Sequence, residues 1–306
     1  MNYDLRRGYK QFEEHDLNEG LDNIMKWILK KRDLFKLEPT NSKIKSLDKD
    51  FVGCRGHFTK IMCTPYLNKE EWIMAVTLYR GTYYINQVAT EEKKDYLKKM
   101  SGEEKEIAYW GYKFEQYMTS VDGKEPPNTN EALNNNEAYF SVVQSDINDH
   151  SLMYSGEVDC CTDVQLQPPS NYVELKTYKV FDPTDEKENN KFKRYKLSRW
   201  WAQSYLLGIP TIMVGFRNEK GIVQNVERYP TIELPEKAKQ NKIWCPEVCM
   251  HFCDSFLKHV KKLVIKDDPC VVYLFKRLND QNGITCTLEE NSSHKFVQEW
   301  YTREFV

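Results

Sequence analysis

The chain has 306 residues, a formal net charge of -2 and 13% aromatic residues, with 19 Tyr and 7 Trp. A chain of this length can bury a substantial core in one large or two medium domains, and its aromatic content favours a folded, enzyme-like body over a tail-rich or disordered protein. The small net charge excludes a general electrostatic surface for nucleic acid, so any such binding has to use a local cleft.

The N-terminal stretch MNYDLRRGYKQFEEHD is polar and charged, and no later stretch reaches the roughly 18 apolar residues of a membrane span. We therefore expect a soluble intracellular protein, nuclear and/or cytoplasmic, without a membrane partner. Nine cysteines without a secretory signal are expected to be reduced thiols.

The predicted elements mix helices and strands without strict alternation, which is typical of an α+β fold built on mixed sheets. In the first half of the chain they are a helix at 21–35, a hairpin at 70–88 that turns at Arg80-Gly81, a helix at 101–120, a loop at 119–137, and strands at about 139–145 and 152–160. In the second half they are a strand at about 171–179, a polar loop at 181–190, a helix at 191–208, a hairpin across 218–221, a helix from Pro246, and strands at 269–278 and 283–290. No internal repeat or domain linker is visible, so we expect a single domain over 1–306.

Two of these helices have a predicted N-cap and a predicted apolar face. Asn18 is the expected N-cap of the first, and its apolar face is Leu21, Ile24, Met25, Ile28 and Leu29. Ser101 and Glu104 have the spacing of a capping box for the helix at 101–120. Its predicted buried stripe is Ile107, Trp110, Phe114 and Met118, and Glu115 lies beside that stripe.

Three cysteines, Cys245, Cys249 and Cys253, are spaced four apart, which aligns them along one face of a helix, with His251 nearby. A zinc site is one interpretation. Structural zinc usually uses C-x-x-C knuckles in loops, so we expect small buried core residues instead. Of the adjacent Cys160 and Cys161, we expect one to be buried and one half-exposed.

Two short charged pieces, Glu157-Val158-Asp159 and Glu174-Leu175-Lys176, lie in predicted neighbouring strands. Side chains alternate between the faces of a strand, so each piece places two ionisable groups on one face. A solvated sheet face explains either piece alone. Together with Glu115 they favour phosphodiester hydrolysis, because carboxylates hold one or two Mg²⁺ or Mn²⁺ ions and a lysine stabilises charge on the phosphate.

The chain also resembles the DXO-type eukaryotic decapping exoribonucleases, which correct faulty messenger RNA 5′ ends. The resemblance rests on stretches in family order across nearly the whole chain: NYDLRRGY (2–9), RGHFTKIMCTPY (55–66), GYKFEQYM (111–118), SGEVDC (155–160), QPPSNYVELKT (167–177), KLSRWWAQSYLLGIP (196–210), GFRN (215–218) and VCMHFC (248–253). It implies two twisted mixed or antiparallel sheets flanked by helices, with a nuclease active site in a deep pocket.

The resemblance also implies roles for individual residues. The expected metal ligands are Glu115, Glu157, Asp159, Glu174 and the main-chain carbonyl of Leu175. The expected catalytic residues are Glu157, Asp159, Glu174 and Lys176. The expected substrate contacts are Arg55, which would grip a 5′ phosphate or cap group, Gly56, Glu157, Lys176 and Gln203. All matched acidic and basic positions are intact, whereas an inactive relative is expected to have lost some.

Each of these roles has an alternative. Glu115 is also consistent with a solvated helix flank, Arg55 with a surface ion pair, and Gln203 with an amide that satisfies a backbone group. The basic run is either an ordinary solvated face or a rim that guides RNA, and consists of Lys191, Lys193, Arg194, Lys196 and Arg199.

The implied activity is metal-dependent removal of an incomplete or noncanonical RNA cap, such as NAD, by a cut after the first nucleotide, followed by 5′-to-3′ degradation. Two alternatives are a non-catalytic scaffold that stabilises a partner nuclear 5′-to-3′ exoribonuclease, and a DNA nuclease. The family normally has further residues before the NYDLRRGY position, so we expect an upstream segment to be absent or removed, which concerns cap specificity more than cleavage. The residues leave open the preferred 5′ end and the oligomeric state.

Overall fold

The computed structural model describes residues 2–12, 20–34, 47–67, 69–239, 242–279, 283–290 and 292–304. The strands in chain order are β1 (Tyr3–Asp4), β2 (Phe51–Cys54), β3 (Trp72–Tyr79), β4 (Thr82–Val88), β5 (Phe140–Ile147), β6 (His150–Glu157), β7 (Cys160–Cys161), β8 (Tyr172–Lys179), β9 (Thr211–Arg217), β10 (Ile222–Pro230), β11 (Val271–Arg277) and β12 (Thr285–Glu290). The helices are α1 (Asp22–Lys30), α2 (Arg55–Cys63), α3 (Glu91–Lys99), α4 (Gly102–Met118), α5 (Glu186–Phe192), α6 (Ser198–Leu207), α7 (Leu234–Lys239), α8 (Pro246–Leu263) and α9 (Glu299–Glu304). The α+β class with two mixed sheets agrees with the prediction.

One compact unit consists of Met1–Leu17, Tyr96–Ser141 and Glu157–Cys245, and it contains a five-stranded sheet in the order β1-β10-β9-β8-β7. The sheet is mixed because β8 and β9 are parallel, whereas the other neighbours are antiparallel. Helix α4 covers one face, where its buried Phe114 packs with Val173 and Leu175 of β8. A Cβ atom at Gly215 of β9 would lie 2.5 Å from the Phe114 ring, so only glycine allows this approach.

The opposite face of the same sheet is covered by aromatic side chains that precede and open α6. The ring of Tyr178 on β8 lies 4.8 Å from that of Phe192 and 6.4 Å from that of Trp200. A π-helical turn, Lys193–Leu197, joins α5 to α6. Strand β8 is therefore held between α4 on one face and α5 and α6 on the other.

The second compact unit consists of Asn18–Asp95, Val142–Gly156 and Pro246–Val306, and its seven-stranded sheet has the order β12-β11-β3-β4-β2-β6-β5. Strand β2 runs parallel to both β4 and β6, which makes this sheet mixed as well. The buried face of α1 packs on one side of the sheet with Val272 and Leu274. On the other side Phe256 of α8 packs 5.4 Å from Phe275.

Several local predictions are confirmed by these contacts. The hairpin of β3 and β4 turns at Arg80 and Gly81, which both have the positive φ angles of a tight hairpin turn. Ser101 and Glu104 form the predicted capping box at the start of α4. Cys249 and Cys253 are fully buried core residues of α8, and Cys245 is partly buried just before it. The predicted N-cap Asn18 lies outside the described residues.

Other local predictions are wrong, each for a physical reason. The strand predicted at 152–160 is interrupted, because the chain leaves the seven-stranded sheet after Glu157 and enters the five-stranded sheet at Cys160. Ile107 is 38% exposed, because the first two turns of α4 face solvent and burial begins at Tyr109. The loop predicted at 181–190 becomes helical from Glu186, because Asp185 caps the helix. Cys160 is partly buried and Cys161 exposed.

No helix in the described ranges is long and apolar enough to cross a membrane. The single domain expected over 1–306 stays a prediction.

We predict that Gly215→Ala lowers the free energy of unfolding by about 1–3 kcal/mol, because the added methyl group meets the Phe114 ring at 2.5 Å. Chemical denaturation measures the change. Gly111→Ala within α4 is the matched control: nothing lies within 4 Å of its Cβ position, and alanine favours helix by about 0.5–1 kcal/mol. Equal stability of the two variants would contradict the contact.

Candidate active site

A cluster of carboxylates lies within the unit that contains the five-stranded sheet. Asp159 immediately precedes β7, Glu174 is the third residue of β8, and Glu115 belongs to the last turn of α4. The side chains of Asp159 and Glu174 are 7% and 1% exposed. Glu115 is partly buried. The structure therefore brings together acids from three separate elements.

Asp159 continues the pairing along the edge of β8, just before β7 begins. The two residues of β7 pair only with Tyr172 and Val173. Beyond them the Leu175 N–H donates a 2.6 Å hydrogen bond to Asp159 Oδ2. The N–H and C=O of one residue point to the same edge of a strand, so the Leu175 carbonyl faces the same edge as Asp159. This placement suits the predicted role of that carbonyl.

Lys176 lies between the two most buried acids. Its Nζ is 2.6 Å from Glu174 Oε1 and 3.7 Å from Asp159 Oδ2. Glu174 and Lys176 project from the same face of β8, as the alternation of the E-x-K piece predicts. The charge of Lys176 is therefore shared by two carboxylates in a partly desolvated position.

The cluster has more negative charge than Lys176 can balance. Burial, and after it the negative charges of Asp159, Glu157 and Glu174, raise the pKa of Glu115 to about 8 against the opposing effect of Lys176. Burial likewise raises the pKa of Asp159 to about 6, although Lys176 and the Leu175 N–H lower it. Four carboxylates thus interact electrostatically around one lysine.

This donor set fits a hard divalent cation in its chemistry. Mg²⁺ and Mn²⁺ prefer carboxylate and carbonyl oxygen, and a cation would relieve the repulsion that raises the pKa of Glu115. The last turn of a helix, where Glu115 lies, also favours positive charge. Within the described ranges, no three His, Cys, Asp or Glu side chains converge at the spacing of a metal site, so the ligand roles stay predictions.

Glu157 is more exposed than the other acids, and it belongs to a strand of the other sheet. It is the last residue of β6 and is exposed, and Val158 and Asp159 lie outside any strand. The prediction that Glu157 and Asp159 share the face of one strand is therefore wrong. Glu157 still acts on the cluster, because its charge raises the pKa of both Glu115 and Asp159.

Gln203 lies in the middle of α6, which runs along β8 in the opposite direction. Trp200, near the start of α6, packs on Tyr178, near the end of β8. Gly208, just after α6, lies against Pro169, which precedes β8. The partly buried Gln203 is therefore placed alongside the middle of β8, where Glu174 and Lys176 lie.

Arg55 and Gly56 belong to the other compact unit, where they are the first two residues of α2. Arg55 is partly buried and Gly56 is exposed. The structure describes them only within that unit. Their substrate roles stay predictions.

Tyr178 was missed as a neighbour of the site. It follows Glu174 and Lys176 at two-residue spacing on β8, so it lies on the same face of the strand. The two-residue alternation of a strand, which predicts that Glu174 and Lys176 share a face, also predicts that Tyr178 lies on that face.

Comparisons with known proteins identify the family and the fold. Residues 1–302 match the family described as "RAI1 like PD-(D/E)XK nuclease". The decapping and exoribonuclease protein of Xenopus laevis is 39% identical over 291 residues, which cover 94% of this chain and 71% of that protein. The crystal structure of Candida albicans Rai1 in complex with pU5-Mn2+ has a TM-score of 0.82 at 22% identity, and covers 99% of this chain and 86% of that one.

A second solved structure, Scheffersomyces stipitis Rai1 in complex with (3'-NADP)+ and calcium ion, has a TM-score of 0.83 at 21% identity. It covers 99% of this chain and 85% of that chain. At these identities the two structures establish a shared fold.

The pattern in the family description, Asp or Glu, any residue and then Lys, is present as Glu174-Leu175-Lys176, with Asp159 as the earlier acid. The fold and this strand are those of a PD-(D/E)XK nuclease. The chain belongs to the RAI1-like family of these nucleases, whose relatives are named decapping and exoribonuclease proteins.

We predict that the metal-free protein becomes less stable as the pH rises from about 4.5 to about 8. In this window the unfolded chain has lost the Glu115 proton, whose ordinary pKa is 4.5, whereas the folded protein keeps it up to about 8. The unfolded state then binds fewer protons, so the free energy of unfolding falls. Asp159 acts in the same direction up to about pH 6.

Thermal melting in EDTA across this pH range measures the effect. Glu115→Gln should flatten the decline, whereas Glu219→Gln, at an exposed turn, should keep the wild-type profile. Parallel profiles for wild type and Glu115→Gln would contradict the assigned burial of Glu115.

Proposed function

We propose that the protein is a divalent-cation-dependent phosphodiesterase of RNA 5′ ends. It removes incomplete or noncanonical caps, including NAD caps, by cutting after the first nucleotide, and it degrades RNA in the 5′-to-3′ direction. The observation that carries the proposal is Lys176 held between Asp159 and Glu174, with Glu115 beside them, in a chain of this nuclease family.

The carboxylates and the Leu175 carbonyl are the groups that would hold Mg²⁺ or Mn²⁺. When bound, such a cation polarises the scissile phosphate and makes water a better nucleophile. The buried position of Asp159 and Glu174 excludes bulk water and strengthens their electrostatic interactions. The Leu175 N–H fixes one oxygen of Asp159, so that the acid is oriented before substrate binds.

We propose that Lys176 stabilises the negative charge that develops on the phosphate. Its amine already lies within 3.7 Å of both acids, which holds it in place. An approaching phosphate competes for this amine, and the preformed position reduces the cost of reorganisation in the transition state. Gln203 adds a neutral amide donor from α6 alongside the same strand.

The relatives support RNA and nucleotide ends as the substrate class. Candida albicans Rai1 is described in complex with pU5-Mn2+, and Scheffersomyces stipitis Rai1 with (3'-NADP)+ and calcium ion. A phosphorylated oligonucleotide, a dinucleotide and divalent ions are the components that our proposal requires. We propose that Arg55 and Gly56 contact the 5′ end.

We predict that Asp159→Asn and Glu174→Gln each lower Mn²⁺-dependent cleavage by at least about a hundredfold, because each removes an anionic oxygen ligand. The assay uses RNA with a labelled 5′ phosphate or NAD cap. Glu236→Gln, an exposed carboxylate paired with Lys239, is the control and should keep full activity. Full activity in the two site variants would contradict the assignment.

The same assay separates the alternatives. Preferential cleavage of DNA would indicate a DNA nuclease. Absence of metal-dependent cleavage in the wild type, combined with co-purification of a 5′-to-3′ exoribonuclease, would indicate a scaffold.

A further inference from the structure

The π-helical turn at Lys193–Leu197 gives the start of α6 an unusual geometry. Such turns make up well under 1% of residues and occur frequently at functional sites. Beyond this turn, Arg199 and Gln203 are four residues apart and therefore occupy one side of α6. Lys196, the fourth residue of the turn, lies one helical turn before Arg199. The three side chains thus follow one another along the start of the helix.

Lys196 is the residue of this row that lies next to the five-stranded sheet. Its Nζ lies 5.9 Å from the centroid of the Tyr178 ring. Tyr178 is on the same face of β8 as Lys176, two residues further along, which corresponds to about 6.6 Å along the strand. The contact of Tyr178 with Phe192 at 4.8 Å holds its ring in place. The Lys196 amine is thus placed beyond Lys176, along the same strand.

The opposite directions of α6 and β8 fix the order of these groups. Gln203 lies alongside the middle of β8, Arg199 comes one turn nearer the start of α6, and Lys196 lies at Tyr178. A row of donors therefore leads from the carboxylate cluster toward the end of β8. This order follows from contacts within one compact unit.

Two members of this row, Lys196 and Arg199, are cations. Lys196 reaches solvent, yet neighbouring atoms partly desolvate its amine, and this burial lowers its pKa. The positive charge of Arg199 lowers the pKa further, as expected for two cations near each other. A phosphate near both would relieve the repulsion and gain two charge-assisted contacts.

We propose that Lys196 and Arg199 form a second phosphate subsite, which binds the RNA chain on the 3′ side of the cut. The inference rests on the proposed function. An enzyme that cuts after the first nucleotide has only a short piece of RNA on the 5′ side of the cut. A second phosphate site further along β8 would therefore bind the rest of the RNA, on the 3′ side. The subsite makes longer RNA a better substrate than a dinucleotide.

The experiment compares a 5′-phosphorylated dinucleotide with a 5′-phosphorylated hexanucleotide of the same sequence. Cleavage in Mn²⁺ gives kcat/KM for each, and fluorescence anisotropy in Ca²⁺ gives the affinity of the hexanucleotide as a function of salt. The variants are Lys196→Gln, Arg199→Gln and Lys196→Arg, and the control is Lys220→Gln, an exposed lysine in the turn between β9 and β10.

We expect Lys196→Gln and Arg199→Gln each to lower the hexanucleotide-to-dinucleotide ratio of kcat/KM about tenfold. The slope of log affinity against log salt should become shallower by about 0.7 for each lost phosphate contact. Lys196→Arg should keep most of the ratio, because it preserves the charge, and Lys220→Gln should keep all of it.

A ratio and a salt slope unchanged in both glutamine variants would overturn the subsite. A loss that is equal for both substrates, accompanied by a lower melting temperature, would also overturn it, because that pattern indicates a structural role. If the wild type cleaves neither RNA in Mn²⁺, the proposed function itself fails. The two failures are therefore distinguishable.

Discussion

The hydrogen bond from the Leu175 N–H to Asp159 is the interaction on which the candidate site depends. Strand β7 is only two residues long, so it leaves the edge of β8 without a strand partner at Leu175. An unsatisfied backbone N–H at a buried edge is costly, and the Asp159 carboxylate replaces the missing strand. One side chain thus maintains the sheet and contributes to the cluster of acids. Folding and the chemistry of the site are coupled through this residue.

The close approach of helices to both faces of β8 extends this coupling. The absence of a side chain at Gly215 lets Phe114 of α4 lie directly on β9, which places Glu115 at the cluster. On the other face, α6 runs from Tyr178 to Pro169 and brings Gln203 alongside the strand. Strand β8 therefore organises groups that are distant in the sequence. Gly215, against Phe114, and Gly208, against Pro169, allow the two helices to pack closely.

The sequence predicts much of this arrangement, because its signals are local. The capping box at Ser101, the turn at Arg80-Gly81 and the two-residue alternation of Glu174 and Lys176 depend only on neighbouring residues, and the structure contains all three. The interruption between Glu157 and Asp159 was not predictable from alternation, because it arises where the chain changes sheets. The exposure of Ile107 was missed for a related reason: periodicity identifies the side of a helix but not how far the sheet beneath it extends.

The pairing of β1 with β10 has a consequence for the synthesis of the chain. Tyr3 pairs with Val223, so β1 can pair only after β10, the last strand of its sheet in chain order, has been synthesised. Such long-range pairing slows folding and leaves strand edges uncovered in the interval. The three stretches of the first unit alternate with those of the second along the chain. Strand β10 ends at Pro230, so a chain shortened before it lacks part of the sheet on which the acids lie.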